Sequence, residues 1–474
     1  MFILDFILRL WFCARVLARR LPRGIAWAWL SVIFFLPVFG TILYLYLGEY
    51  RLGKRRSKRL EATALILKVL IQKLFAKNSD ERSLTEPSRS FALAARGLFD
   101  APLMAGNDVE LLQNADAAFS AMIADIGRAK ISCDIEFYIW SDGGLADEFG
   151  EALIKAAGRG VKCRVLLDQI GSAAFLKGPN AGKLKQAGVR IQAAMPSGII
   201  RSFFARPDLR IHRKIVIIDG AIGYTGSMNL ADPFCFKQTE GVGLWVDAFC
   251  RTKGPVVEAM IFVFLSDWSV ETRADFLALE KGSVFIDKAQ AKLSQIQCLP
   301  SGPSLKYSSI EELLVMAMYS ARRRLVITAP YFIPGESMLY ALMTAAKRGV
   351  EVILITPEKA DSILSRYASR SYLKELVSAG VQVALYKGGM LHTKSVVVDG
   401  EYCLFGTLNM DPRSFRINFE LTLAIYGKSF AAELNELQIK YLSRSRIMEL
   451  KDFENKSRIN VLKEDLARLL GPLL

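Results

Sequence analysis

Between Ile25 and Leu47 the chain runs 23 residues without a charge, "IAWAWLSVIFFLPVFGTILYLYL". As one helix rising about 1.5 Å per residue, that stretch is long enough to cross a hydrocarbon core of about 30 Å. Trp27 and Trp29 mark one end and Tyr44 and Tyr46 the other, the placement of interfacial aromatic belts, and Pro37 between them predicts a kink. The run before it, "MFILDFILRLWFCARVLA", is interrupted by Asp5, Arg9 and Arg15. It reads as an interfacial helix or a poor first span; a cleaved signal is the weakest reading, since no small-residue cleavage site follows and a second apolar run does.

Past this anchor the period of the pattern changes. Residues 60–106 predict an amphipathic helix and then a polar linker, "KNSDERSLTEPSRS". From "GNDVELL" onward, short apolar runs of strand length alternate with segments of helical period. "ISCDIEFYIW" (131–140) is followed by "LADEFGEALIKAAGRGVKCRVLLD" (145–168), and "RLVITAPYFIP" (324–334) by "MLYALMTAAKRGVEVILIT" (338–356). In each pair "RGV" closes a helix and opens a strand, as a βαβ crossover requires. The predicted organisation is a membrane anchor over 1–59 with its span near 25–47, a helix and linker over 60–106, one α/β half over 107–295 and a second over 296–474. The stretch from Ser429 to the end is mostly helical by pattern and closes the second half, either packed on the body or lying against a bilayer.

Composition sharpens the anchor. Hydrophobic residues make up 52 % of 474, and the formal charge is +15. Residues 1–59 hold eleven Arg and Lys against Asp5 and Glu49, so the anchor region carries +9 of that charge and the remaining residues only +6. Basic flanks of an apolar span read as membrane topology and attraction to anionic headgroups, with the six after the span pointing to a cytoplasmic body. A body so mildly basic gives no reason to expect nucleic acid as a partner. The seven cysteines are scattered and form no CxxC pair, which argues for reduced thiols and against a zinc or disulfide framework.

The chemistry lies in a repeat. Only two histidines occur in the chain, in "IHRKIVIIDG" (211–220) and "LHTKSVVVDG" (391–400). Laid without a gap over 391–420, residues 211–240 match in eight of thirty columns, four times chance: His212/His392, Lys214/Lys394, Val216/Val396, Asp219/Asp399, Gly220/Gly400, Gly226/Gly406, Asn229/Asn409 and Glu240/Glu420. In a strand, His and Lys two residues apart share a face. The Asp-Gly closing each run reads as a tight hairpin turn, so Asp219 and Asp399 are read equally as turn formers and as members of a catalytic set. Packing the halves about a pseudo-twofold axis would give one site with two imidazoles. One could attack phosphorus and the other protonate the leaving oxygen, with Lys214, Lys394, Asn229 and Asn409 holding phosphate oxygens and a glutamate behind each ring fixing its tautomer. Ser227 and Thr407, beside the asparagines, join the set as phosphate-binding or supporting groups. Two lysines beside two histidines repel a cation, so no metal and no other cofactor is expected.

"HRKIVIIDGAIGYTGSMN" and "HTKSVVVDGEYCLFGTLN" resemble the doubled HxKxxxxDxxxxxxG(S/T)xN signature of the phospholipase D superfamily. Over nearly the whole chain, "APLMAGNDVELL", "IEFYIW", "APYFIP", "DPRSFRINFE" and "RLLGPLL" are similar to bacterial cardiolipin synthases. The resemblance implies two pseudo-twofold-related α/β/α halves with mixed, mostly parallel sheets behind an N-terminal transmembrane helix, in the bacterial cytoplasmic (inner) membrane. It implies transfer of a phosphatidyl group between two phosphatidylglycerol molecules, with His212 as nucleophile and His392 as general acid and then base. Phosphatidylethanolamine stays open as the second lipid, and the oligomeric state is not legible. With water as acceptor the same site is a phospholipase D hydrolase, and a nuclease of the same superfamily is the further alternative.

Overall fold

The computed structural model describes residues 2–19, 21, 23–36, 38–49, 51–75, 81–195, 205–281, 294–303, 309–454 and 456–471. The chain forms two compact units, Met1–Arg59 with Pro196–Leu209, and Leu60–Met195 with Arg210–Leu474.

In the smaller unit the 23-residue apolar run is not one helix. Helix Arg23–Phe35 ends before the predicted kink, and a second short helix, Phe39–Leu43, passes into a π-helical turn over Tyr44–Gly48; Pro37 itself lies outside the described residues. Thirteen residues make a helix of about 20 Å, so the expected single span is replaced by shorter pieces. Among the described residues no helix is long and apolar enough to cross a membrane. The interrupted opening run forms helix Phe2–Ala18, which packs on Arg23–Phe35 around Phe12, Val16, Trp29, Ile33 and Tyr44. Arg15 and Arg19 converge on the buried Glu49 at 2.6 and 3.0 Å, which neutralises the one carboxylate this small core encloses.

The larger unit is built on one continuous sheet with two equivalent arms. In the first arm, strands Ser132–Phe137, Lys162–Asp168 and Arg190–Ala194 pair in parallel (Ile135 with Val165, Val165 with Ile191) through the predicted helical crossover Leu145–Gly158. The arm continues antiparallel through Ile215–Ile218, Ile222–Gly226, Phe249–Lys253 and Met104–Leu112. The second arm repeats that order with Arg324–Thr328, Glu351–Pro357 and Gln382–Tyr386 in parallel, then Ser395–Val398, Tyr402–Gly406, Asn418–Tyr426 and Ser294–Ser301 antiparallel. The arms meet where Met104 pairs with Ile296, the seam of the pseudo-twofold. The sheet is mixed and packed by helices, so the expectation of two α/β halves holds, but the pairing is mostly antiparallel rather than mostly parallel. Each Asp-Gly turn forces a hairpin, and within the main run of each arm parallel pairing is confined to the three strands linked by helical crossovers.

Two helices depart from the sequence reading. Ser88–Phe99, assigned to the linker, buries Phe91, Ala92 and Ala95 in the second-half core, with Phe91 4.8 Å from the Tyr402 ring. The residues of the expected linker at 77–80 lie outside the described set. The other is Pro255–Thr272, inside the predicted first half but not singled out there, which is buried on nearly every side against the sheet and carries Asp267 into that core. The expected half boundary at 295/296 falls inside strand Ser294–Ser301, and the 59/60 boundary inside helix Lys54–Phe75. Near the C-terminus, Arg458–Leu469 packs along Ile363–Ser378 through the buried Ala467, with Arg468 on Glu375 at 2.5 Å. It leaves Ile459, Leu462, Leu466 and Leu469 exposed, while residues 472–474 of the terminal "GPLL" lie outside the described set.

Candidate active site

The two HxK segments dock crosswise. Strand Arg210–Ile211 adds in parallel to Asn418–Phe419 of the second half, and Met390–Leu391 adds in parallel to Trp245–Val246 of the first. Each histidine follows such a strand and continues its ladder: His212 donates its backbone N–H to the Phe419 carbonyl at 2.9 Å, and His392 to that of Val246 at 2.8 Å. In each case the residue after the accepting carbonyl is an acid whose side chain meets the ring. Glu420 lies 2.8 Å from His212 Nδ1 and Asp247 lies 2.8 Å from His392 Nδ1. Both rings line one cavity of about 430 Å³, with Asn229 and Asn409 in its wall. The sequence thus places two histidines 180 positions apart because one cavity takes an imidazole from each half.

A carboxylate at Nδ1 fixes the tautomer: Nδ1 carries the proton and the Nε2 lone pair is left for the cavity. Burial pushes both imidazoles down to about 4, against the opposing pull of Glu420 on one and Asp247 on the other. Burial works against charge on the two acids as well, but His212 and Lys214 hold Glu420 below the usual carboxylate range, and His392 and Lys394 do the same for Asp247. Ser227 Oγ donates to Asp247 at 2.6 Å, and Thr407 Oγ1 to Glu420 at 2.5 Å. These two hydroxyls therefore orient the acids. Lys214 and Lys394 are buried, each donating to the carbonyl of its own histidine at 2.7 and 2.6 Å. Burial lowers them to about 8 and about 7. The amide oxygens of Asn229 and Asn409 are buried with no hydrogen-bond partner among the described residues.

Three of the sequence-selected residues are not at the imidazoles. Asp219 and Asp399 sit in their hairpin turns at φ +51° and +54°. Asp219 accepts from the backbone N–H groups of Lys130, Ile131 and Ser132, and Asp399 from those of Arg322, Arg323 and Arg324. They lie at the far ends of strands whose other ends carry the histidines, where each holds its turn rather than meeting an imidazole. Glu240 is exposed in a 3₁₀ turn and pairs with Lys237 at 3.2 Å. The counterpart of Glu420 is Asp247: the first half is seven residues longer between its Ser/Thr and its acid (227 to 247 against 407 to 420), and a gapless overlay cannot bridge that difference.

Sequence reasoning also missed the rings that support the histidines. Tyr138 stands edge-on to His212 at 5.2 Å and Trp245 to His392 at 4.6 Å. "IEFYIW" held the signal for Tyr138, an aromatic past the end of a buried strand. Arg213, between His212 and Lys214, donates to the Glu420 carbonyl at 3.0 Å and pairs with Asp267 of the buried helix, tying the halves together. Among the described residues no group of three or more His, Cys, Asp or Glu side chains converges as metal ligands would.

Paired imidazoles on reciprocal carboxylates, in a duplicated mixed sheet, are the arrangement expected of a two-histidine protein of the phospholipase D class. Comparison with known proteins gives the family. The family described as "Cardiolipin synthase, PLD-like domain" matches twice, over residues 122–249 and 314–440, and "Phospholipase D-nuclease N-terminal" matches residues 7–49. Cardiolipin synthase A of Cronobacter sakazakii and that of Escherichia fergusonii are each 42 % identical to this chain over 466 residues, covering 97 % of it and 95 % of the relative. The chain belongs to the cardiolipin synthase family. Among solved structures, phosphatidylserine synthase of Haemophilus influenzae shares the fold with a TM-score of 0.59 at 15 % identity, covering 81 % of this chain and all of that one.

Proposed function

We propose that the chain synthesises cardiolipin by phosphatidyl transfer between two phosphatidylglycerol molecules. The observation that carries this reading is the single cavity lined by His212 and His392, each with Nδ1 on a carboxylate supplied by the other half. His212 Nε2 attacks the phosphorus of the first phosphatidylglycerol, the bond to the glycerol oxygen breaks, and His392 Nε2–H protonates that oxygen. The phosphatidyl group stays on His212 while glycerol leaves. His392, now neutral, takes the proton from a glycerol hydroxyl of the second lipid, whose oxygen attacks phosphorus and displaces His212. One phosphodiester is exchanged for another, so the energy of the bond is retained in the intermediate.

The two imidazoles must differ in charge at the first step, and their partners favour the order given. Glu420 has its charge spread over hydrogen bonds from Thr407, Ser414 at 2.9 Å and Asn418 at 3.3 Å in addition to His212. Asp247 accepts from Ser227 and His392. The less quenched carboxylate supports the imidazolium better, which favours His392 as the acid and leaves His212 neutral to attack. The arriving phosphodiester anion raises the affinity of a nearby imidazole for its proton, supplying what the empty cavity withholds. Lys214, Lys394, Asn229 and Asn409 are the groups assigned to the charge developing on the phosphate oxygens.

The lipid substrates place the body at a bilayer with anionic headgroups, the cytoplasmic face of a bacterial inner membrane. The helical pair Phe2–Ala18 and Arg23–Phe35 exposes Phe6, Leu10, Trp11, Trp27, Phe34 and Phe35, a surface suited to insertion. The terminal helix Arg458–Leu469 exposes an apolar stripe of its own, Ile459, Leu462, Leu466 and Leu469, also suited to a lipid surface. Incubating the purified protein with phosphatidylglycerol vesicles and weighing the products tests the assignment. Cardiolipin with equimolar glycerol is expected, whereas phosphatidic acid alone would make the protein a hydrolase. His212→Ala and His392→Ala are each expected to abolish turnover.

A further inference from the structure

One wall of the cavity resembles a site for an organic cation already filled by the protein itself. Lys237 places its ammonium 3.1 Å from the Asp361 carboxylate of the other half and 3.2 Å from Glu240. The same ammonium lies 5.6 Å from the ring centre of Phe236 and 5.5 Å from that of Trp245. A carboxylate beside two aromatic faces is the arrangement that recognises ammonium headgroups. Asp361 also accepts the Tyr331 hydroxyl, and its side chain is 11 % exposed, so little of it remains for a ligand. Burial works against the charge on Lys237, but Asp361 and Glu240 hold it protonated. The position matters because Trp245 also packs on His392, and Lys237, Trp245, Tyr331 and Asp361 all line the cavity with it.

We propose that Lys237, held by Asp361, selects the headgroup at the leaving and accepting position, excluding ammonium-bearing alcohols and admitting the neutral diol of phosphatidylglycerol. The selection deepens the transferase reading and rests on it for the lipid class. His392 serves both the alcohol that leaves and the alcohol that attacks, so both pass this wall. An ethanolamine or choline headgroup would bring a second cation to a place where Lys237 already neutralises the carboxylate. A glycerol brings hydroxyl groups that hydrogen-bond to Ser362 or Ser365 in the same wall without that repulsion.

The test uses the full-length protein in mixed vesicles of phosphatidylglycerol and phosphatidylethanolamine, reading the ratio of ethanolamine to glycerol released. The native protein is expected to release mainly glycerol. Lys237→Met vacates the cage and should raise the ratio by about tenfold or more, corresponding to about 1.4 kcal/mol of preference. Lys237→Arg should keep the native ratio, and adding Asp361→Asn to Lys237→Met should remove the gain. An unchanged ratio in Lys237→Met would overturn the proposal. Should that variant not fold, the native protein is given free glycerol or free ethanolamine to intercept the phosphatidyl intermediate. Glycerol winning by about tenfold supports the selection, and equal interception sinks it. The headgroup ratio is scored on what leaves. Phosphatidic acid in place of cardiolipin would therefore count against the transferase reading alone, and an unchanged ratio with cardiolipin still forming against the selection alone.

Discussion

Asp247→Asn separates the site as folded from the site as the repeat alone suggests. The Asp247 carboxylate and His392 meet at 2.8 Å with side chains 6 % and 4 % exposed, so water cannot replace the contact. A buried hydrogen bond to a charged group contributes about 1.5–3 kcal/mol, or roughly 10- to 150-fold in rate when it is made to the imidazolium of the transition state. Asparagine costs more than that, because its amide can donate to Nδ1 and stabilise the tautomer whose proton sits on Nε2 in the neutral ring, where the base is needed. A fall in kcat of about 100-fold or more is therefore expected, with little change in thermal unfolding, in a vesicle assay that counts cardiolipin. Glu240→Gln should stay within about fivefold, since an exposed ion pair contributes about 1 kcal/mol at most. Near-native activity in Asp247→Asn combined with a collapse in Glu240→Gln would refute the crosswise pairing and restore the gapless overlay.

The acidic limb of kcat/KM should rise through about pH 4, where His212 loses the proton that blocks its attack, while loss of the His392 proton and, from about pH 7, of those on Lys394 and then Lys214 brings the rate down on the alkaline side. Lys394→Arg, charged throughout, should move the alkaline limb to higher pH if it tolerates the site, and an unmoved limb would show that another group sets it. Folded His212 and His392 titrate below their usual 6.5, so the unfolded chain binds more protons between about 4 and 6.5 and the fold should lose stability as pH falls through that window. Asp219→Asn or Asp399→Asn should lower stability by about 1–3 kcal/mol through lost turn hydrogen bonds and leave kcat near native; a large kcat loss in a folded variant would return them to the catalytic set. Activity should survive EDTA, because two ammonium groups beside the imidazoles disfavour a cation there, and loss restored only by a divalent ion would contradict that.

What the sequence made legible is what repeats locally. The βαβ crossovers, the Asp-Gly hairpins and the His, Lys and Asn positions were all readable because each depends on a few neighbouring residues and occurs twice. The pairing of Asp247 with His392 was not, since it joins residues 145 positions apart and a seven-residue length difference hides its counterpart. The mostly antiparallel sheet was implied by the hairpins and obscured by the conspicuous crossovers. Helix Ser88–Phe99 was hidden in the linker because it follows the polar run directly, and the burial of Phe91 depends on Tyr402 and Tyr426 arriving from far along the chain. The apolar run at 25–47 was taken as one span because hydropathy averages over a window and does not register where the backbone turns.

The crosswise strands at the histidines also bear on how such a chain can arise. Each copy of the repeat lends its acid to its sibling and borrows the other's in return, so a solitary copy acquires a working ring only by meeting a twin. Fusion of two copies turns that meeting from an encounter between molecules into a fixed property of one. It then frees the copies to diverge, as Glu420 with Thr407 and Asp247 with Ser227 have done, so that an attacking side and a protonating side need no longer be mirror images.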